Sequence, residues 1–360
     1  MFRFRFILAL LISGVVHPVQ ALESTGEQTL ALLEEGDIQT SRKPIEIPAV
    51  DPLFFIDGQL CQHLRRMHQD RGGNLWFGTN NYDIMRYNGD SLAYFHAADG
   101  VGKGRVTGIL EDDAGNVWFG TYSGLTKFDG EKFTNYAVDD KADNNEIWSL
   151  TRSRDGTFWI GTMKGVSRFD GENFTSFAVP KAAVDDPTII LAPDRVTAIL
   201  EDSRGDVWFA FDGFGITKWD GENFTFLTSK NGLSDNNVYD LMEDSRGDIW
   251  IGTMFGGVSR YDGEQFINYT QDGVIEGIEV GGLYEDSRGR IWFAAENHGV
   301  YCYDGAAFKQ YDKNHGLLTN GILCVMEDRN GNFWFGGWGG LFRLIDDRFV
   351  SVTREGPWGD

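Results

Sequence analysis

The 360-residue chain sets 54 Asp and Glu against 32 Lys and Arg, for a formal net charge of −22, and carries 14% aromatic residues, 46 Gly and 8 Pro. So apolar and aromatic a composition describes a folded body and excludes a disordered chain. Without a Lys or Arg cluster there is no electrostatic footprint for a phosphate backbone, and nucleic acid is not expected as a partner. From the N-terminus, Arg3 and Arg5 lead into an apolar run from Phe6 to Val16, and Val19-Gln20-Ala21 supplies a small-residue cleavage site. Residues 1–21 therefore read as a secretory signal peptide. The run falls short of the roughly 20 apolar residues a span needs, so no membrane span is expected after cleavage, and the mature chain is expected in the periplasm or outside a bacterial cell. Residues 22–52, ending in Pro44, Pro48 and Pro52, read as an N-terminal tether, 53–353 as the folded domain and 354–360 as a C-terminal tail.

Self-similarity decides the fold expectation. Trp76, Trp118, Trp159, Trp208, Trp250, Trp292 and Trp334 are spaced by 42, 41, 49, 42, 42 and 42 residues. Each unit reads as an apolar segment, a polar turn, a Trp-centred strand, a Gly turn, a third strand, a tight turn and a fourth strand. Four short antiparallel strands per unit make a propeller blade, so the sequence predicts an all-β fold, a single seven-bladed β-propeller. The third strand ends in Asp129-Gly130, Asp170-Gly171, Asp220-Gly221, Asp262-Gly263 or Asp304-Gly305, and in the first unit Asn88-Gly89, dipeptides that suit a type I′ hairpin. The seventh unit has Asp346-Asp347 and departs from that rule. Seven Trp at equivalent positions around an axis are read as core, each removing roughly 150 to 250 Å² from water; Trp148, Trp219, Trp338 and Trp358 fall outside the pattern.

The segment "EDSRGDIWIGT" followed by "GGVSRYDG" and preceded by "NGLSDNNV" resembles the two-component regulator propeller repeat of bacterial sensor proteins. The resemblance implies a module that senses extracellular ligands such as polysaccharide fragments. In that family two propellers, a further β domain, a membrane span and a histidine kinase often occur together. Here the chain ends eight residues after Val352, so the sensor module alone is expected.

Candidate binding residues follow from strand register. Thirteen residues before each blade Trp, at the entrance of the first strand, stand His63, Arg105, Glu146, Arg195, Asn237, Glu279 and Gly321. Two residues on, facing the same way in a regular strand, come Arg65, Thr107, Trp148, Thr197, Tyr239, Gly281 and Leu323. The position between is apolar in all seven units, so it is read as core and the varied sets as cavity-facing. From these the expected ligand site comprises His63, Arg105, Glu146, Trp148, Arg195, Asn237, Tyr239 and Glu279 at the channel mouth, under the long loop with Pro180, Pro187 and Pro193. Guanidinium forks suit carboxylate or sulfate and aromatic faces suit sugar rings, which favours a small molecule or an anionic oligosaccharide.

Two alternatives stay open. A lyase-type propeller enzyme could gather His63, His298, His315 and Glu296 on the variable face. A protein-interaction platform, with an envelope protein as partner, would use the same face. The repeated Glu-Asp pairs (Glu201-Asp202, Glu243-Asp244, Glu285-Asp286, Glu327-Asp328) read as Asx-type turns, because the segment lacks the oxygens a calcium loop needs. No metal or cofactor is expected. Of the three Cys, a pair Cys61–Cys324 could lock the ring closed, although their registers differ by five positions.

Overall fold

Twenty-eight strands group into seven four-stranded antiparallel sheets, each built from consecutive strands, in the computed structural model, which describes residues 58–80, 84–139 and 145–359. The signal peptide and tether assignments lie outside the described residues. First strands pack against one another in chain order and β1 (Leu64–Gln69) meets β25 (Ile322–Glu327), so the sheets close into a seven-bladed propeller. Every blade owns all four of its strands.

The blade tryptophans are the core. Six of the seven are among the largest fully buried side chains, and Trp118 is 3% exposed. The intervening apolar set, Leu64, Val106, Ile147, Val196, Val238, Val280 and Ile322, is buried as well. Each Trp packs edge-on or tilted against aromatic residues of its own or the next blade, as Trp118 does with Phe158 and Phe169.

The Glu-Asp pairs carry two separate jobs. In Asp202 one carboxylate oxygen accepts the backbone N–H groups of Arg204 and Asp206, and the other accepts the Trp208 Nε1–H. The preceding Glu reaches back across the seam: Glu243 accepts from Ser203, Glu285 from Ser245, and Glu327 from Ser287. At the closing seam Gln69 takes the place of Glu and accepts the Arg329 N–H at 2.8 Å. These polar staples fix every turn of the uniform face to its neighbour.

The turn chemistry differs from expectation in one respect. In the Asp-Gly turns only the Gly has positive φ (Gly130 +99°), and Asp129 stands one place earlier, accepting the Glu131 and Lys132 N–H groups. That is the type II′ pattern. The seventh turn, Asp346 and Asp347 at φ 49° and 66°, has both residues positive and is the type I′ case.

One open possibility closes, and one further expectation changes. The three cysteines are free and buried; Cys61 and Cys324 share one apolar cluster without a bond, and burial pushes the Cys324 thiol up to about 12. Residues after Val352 do not hang free. Trp358 stacks on Tyr87 at 4.3 Å and touches Phe77 and Trp334, while Arg343 Nη1 donates to the Gly359 carbonyl. The last residues thus fill the seam between the seventh and first blades.

Candidate functional site

A β-bulge reshapes the channel lining. In β1 pairing steps from Leu64 to Arg66, and the same slip occurs at Val106/Gly108, Val196/Ala198, Val238/Asp240 and Ile322/Cys324 in their first strands. The third blade slips at the same level, opposite Gly161/Thr162, and the sixth slips further along, between Gly281 and Tyr284. An extra residue on one strand shifts the phase of everything beyond it. Arg65, Thr107, Trp148, Thr197, Tyr239 and Leu323 are the unpaired bulge residues, and the regular two-residue spacing assumed for them does not hold. The chamber on the axis is lined one step later, by Arg66, Gly108, Ser149, Ala198, Asp240, Gly282 and Cys324, with neighbouring residues.

Above that chamber the entrance is filled with charge. Trp148 is 9% exposed, with the Arg105 and Arg195 guanidinium carbons 4.2 and 4.6 Å from its ring centre. Both arginines therefore occupy the indole, and Trp148 does not offer the open sugar-stacking face expected of it. Arg105 is paired to Glu146 through Nε and Nη2. Arg195 is held at 3.1 Å by Asp212, and burial lowers its pKa against the pull of that carboxylate. Arg65, which register reasoning placed in the second ring without assigning it to the site, is buried beside Tyr239 and donates Nε–H to Asn80. Burial lowers its pKa, Tyr239 opposes that, and Arg105 adds to it. Three guanidinium groups and one phenol thus share the mouth with two carboxylates.

Asp212 is a residue the sequence reading missed. It lies in the turn after β14 (Val207–Phe211) and is fully buried. Its carboxylate accepts the N–H groups of Ile190, Leu191 and Ala192 at 3.0, 2.7 and 3.1 Å. The long Pro-rich loop is therefore tied to the same ion pair that holds Arg195. A conserved pattern could not have been read from one sequence; the available signal was an Asp in a unit whose equivalents carry Tyr122 and Met254.

The remaining expected residues spread around the rim. His63 packs edge-on against Trp338, ring centres 3.8 Å apart, and its Nδ1 faces Asn80 Nδ2. Asn237 is buried, its N–H bound to Asp235. Glu279 is pushed up to about 9, first by burial and then by its hydrogen bond with the Glu296 carboxyl. His298 faces Glu276 at 3.3 Å and His315 faces Asp312 at 3.0 Å. The three histidines thus have separate partners, and among the described residues no three His, Cys, Asp or Glu gather as a metal site.

Comparison with known proteins fits the fold. The model of the two component regulator propeller matches residues 100–123, 142–164, 190–213, 232–255 and 316–339. Five units are repeats of this regulator propeller type. Each match ends at or just past the second strand of its blade, so it spans an interblade loop, the bulged first strand and the Trp. Among curated proteins the chain has no significant sequence match. Among solved structures it is similar to the extracellular domain assigned to a hybrid two component system of B. thetaiotaomicron, at 18% identity and a TM-score of 0.64 over 78% of this chain. That match spans 39% of the other structure's length. A streptogramin B lyase matches at 12% identity and TM-score 0.62, covering 80% of this chain and 94% of the lyase. PorZ, a surface component of the type-IX secretion system of Porphyromonas gingivalis, matches at 17% and 0.60, covering 80% of this chain and 47% of its own. At these identities the likeness is one of fold. No helix among the described residues is long and apolar enough to cross a membrane.

Proposed function

We propose that this regulator propeller is an exported binding module of the sensor type, without catalysis, whose channel mouth takes a small anionic ligand, an anionic oligosaccharide included. The observation that carries the reading is the surplus of guanidinium at the mouth: Arg65, Arg105 and Arg195 around Trp148 and Tyr239, against Glu146 and Asp212. In an acidic protein such a local excess of cation, held partly out of water, is costly unless an anion completes it. Arg105 is the adaptable member. Its side chain is 18% exposed, and a carboxylate or sulfate could replace Glu146 on its fork. Export is supported by the N-terminal signal pattern and by the kind of protein in which the repeat is found.

A thermal-shift screen of uronate-bearing, sulfated and neutral oligosaccharides tests this. Anionic members should raise the melting temperature of the wild type and not of Arg105→Gln, which removes the charge and leaves a polar amide. Equal stabilisation by neutral sugars, or none by any anion, would reject the reading.

A second reading has its own observation. Tyr122, Ile189, Phe255, Val274, Ile278 and Leu318 are exposed, and all lie in interblade loops or in turns between second and third strands, hence on one face. Apolar side chains gathered on the loop face suit a protein partner. Pull-down with a Leu318→Asp/Ile278→Asp variant as control separates it from small-ligand binding.

A further inference from the structure

The chamber on the propeller axis is distinct from the mouth. At the axis-facing position beyond the bulge, five blades carry small residues, Gly108, Ser149, Ala198, Gly282 and Cys324, and two carry charges of opposite sign, Arg66 and Asp240. The small residues leave a cavity of about 240 Å³. Roughly 150 Å³ already admits a benzene-sized guest, so the space is large enough for a compact solute.

The two charges stand in the first and fifth blades, three steps apart around the ring and so on nearly opposite walls. Arg66 gives Nε–H to the Thr107 carbonyl and one Nη1–H to the Arg65 carbonyl. Its other three N–H groups have no acceptor among the described residues, and no carboxylate there lies within 4.0 Å of it. Asp240 leans the other way, its oxygens accepting the Leu241 and Leu283 N–H groups at 3.0 Å each. Burial raises its pKa, and the field of Arg66 opposes that rise, so the two sense each other across the gap without touching. Opposite charges held apart on facing walls, both half-buried, are stabilised by something that spans them.

We propose that the axial chamber is a second ligand site that takes a compact zwitterion of the amino-acid type, its carboxylate on Arg66 and its ammonium on Asp240. The hydroxyls nearby are already committed: Thr107 donates to the Ile147 carbonyl, Thr197 to Val238 and Thr151 to Ile199. They brace the walls, and the two charges do the recognition. A solute with only one charge leaves the opposite wall unmatched, which is the basis of selectivity. Tyr239 lines the chamber and also neighbours Arg65 and Arg195 at the mouth, so the two sites adjoin.

The test is a thermal-shift and calorimetric panel of single amino acids, with acetate and methylammonium as controls carrying one charge each. At about 10 mM, at least one small amino acid should raise the wild-type melting temperature by about 3 °C or more, and neither control should. Asp240→Asn, which keeps the side-chain shape and one of its two backbone acceptor contacts, and Arg66→Met should each abolish the response. Arg105→Gln should keep it, which separates failure of this site from failure of the mouth. No response to any amino acid, an equal response to acetate alone, or an unchanged response in Asp240→Asn would each overturn the proposal and leave ordered water as the bridge.

Discussion

Trp208 Nε1 donates to Asp202 at 2.9 Å, and five other blades repeat the contact: Trp76 to Asp70, Trp118 to Asp112, Trp250 to Asp244, Trp292 to Asp286 and Trp334 to Asp328. The third blade breaks the series. Ser153 stands where Asp should be, and the buried Trp159 Nε1 has no partner among the described residues. Leaving a buried donor unsatisfied costs about 1–3 kcal/mol. Ser153→Asp should therefore stabilise the protein by about 1 kcal/mol, whereas Asp202→Ala should cost about 1–3 kcal/mol, both read from denaturant midpoints. A destabilised Ser153→Asp would show that the contact between the Ser153 hydroxyl and Glu201 matters more than the missing acceptor.

The same aspartates set the acid limb of stability. Burial raises the Asp202, Asp244 and Asp286 carboxyls, but Trp Nε1 and backbone donors (with Arg246 also bound to Asp244) outweigh it and leave all three below the ordinary 3.8. A depressed folded pKa means stability that is complete above the unfolded value and lost as pH falls through the folded one. The contribution of these three carboxylates should hold steady down to about pH 5 and decline from about pH 4 downward. A decline beginning near pH 6 would contradict this.

Glu279 works in the opposite sense. Its pKa rises from 4.5 to about 9, so the folded state holds a proton that the unfolded state releases, and stability falls as pH rises between those values. Glu279→Gln should flatten that limb. The variant should melt above the wild type at pH 8 and level with it at pH 4; a constant difference at both would remove the titration argument.

The closing seam is filled by the last residues together with the start of the described chain, where Gln59 bridges Thr353. Trp358→Ala strips the stack on Tyr87 and the contacts with Phe77 and Trp334, and should lower the melting temperature by about 5 °C. Deleting residues 22–43 should change it by less than about 2 °C, because each sheet already holds four strands of its own.

Seven Trp at a near-constant spacing, Gly at six of the seven tight turns between third and fourth strands and apolar first strands made the propeller legible from the chain alone. The apolar set from Leu64 to Ile322 also sits where strand alternation put it. Alternation failed one residue later, because the bulge at Arg65, Thr107, Trp148, Thr197, Tyr239 and Leu323 turns the next residue toward the axis, and period-two patterning carries no mark of an inserted residue. Arg66 and Asp240 were hidden for that reason. Asp212 was hidden for another: its partners Ile190, Leu191 and Ala192 bind through backbone N–H groups, which any side chain would present.

The surplus guanidinium at the mouth is most directly tested by isothermal titration of a uronate- or sulfate-bearing disaccharide into the wild type, Arg105→Gln and Arg65→Met at low and high salt. The structure predicts binding that weakens with salt and drops about tenfold or more in each variant, since a charge-assisted pair is lost in both. Affinity unchanged in both variants, or indifferent to salt, would contradict an anion site at the channel mouth.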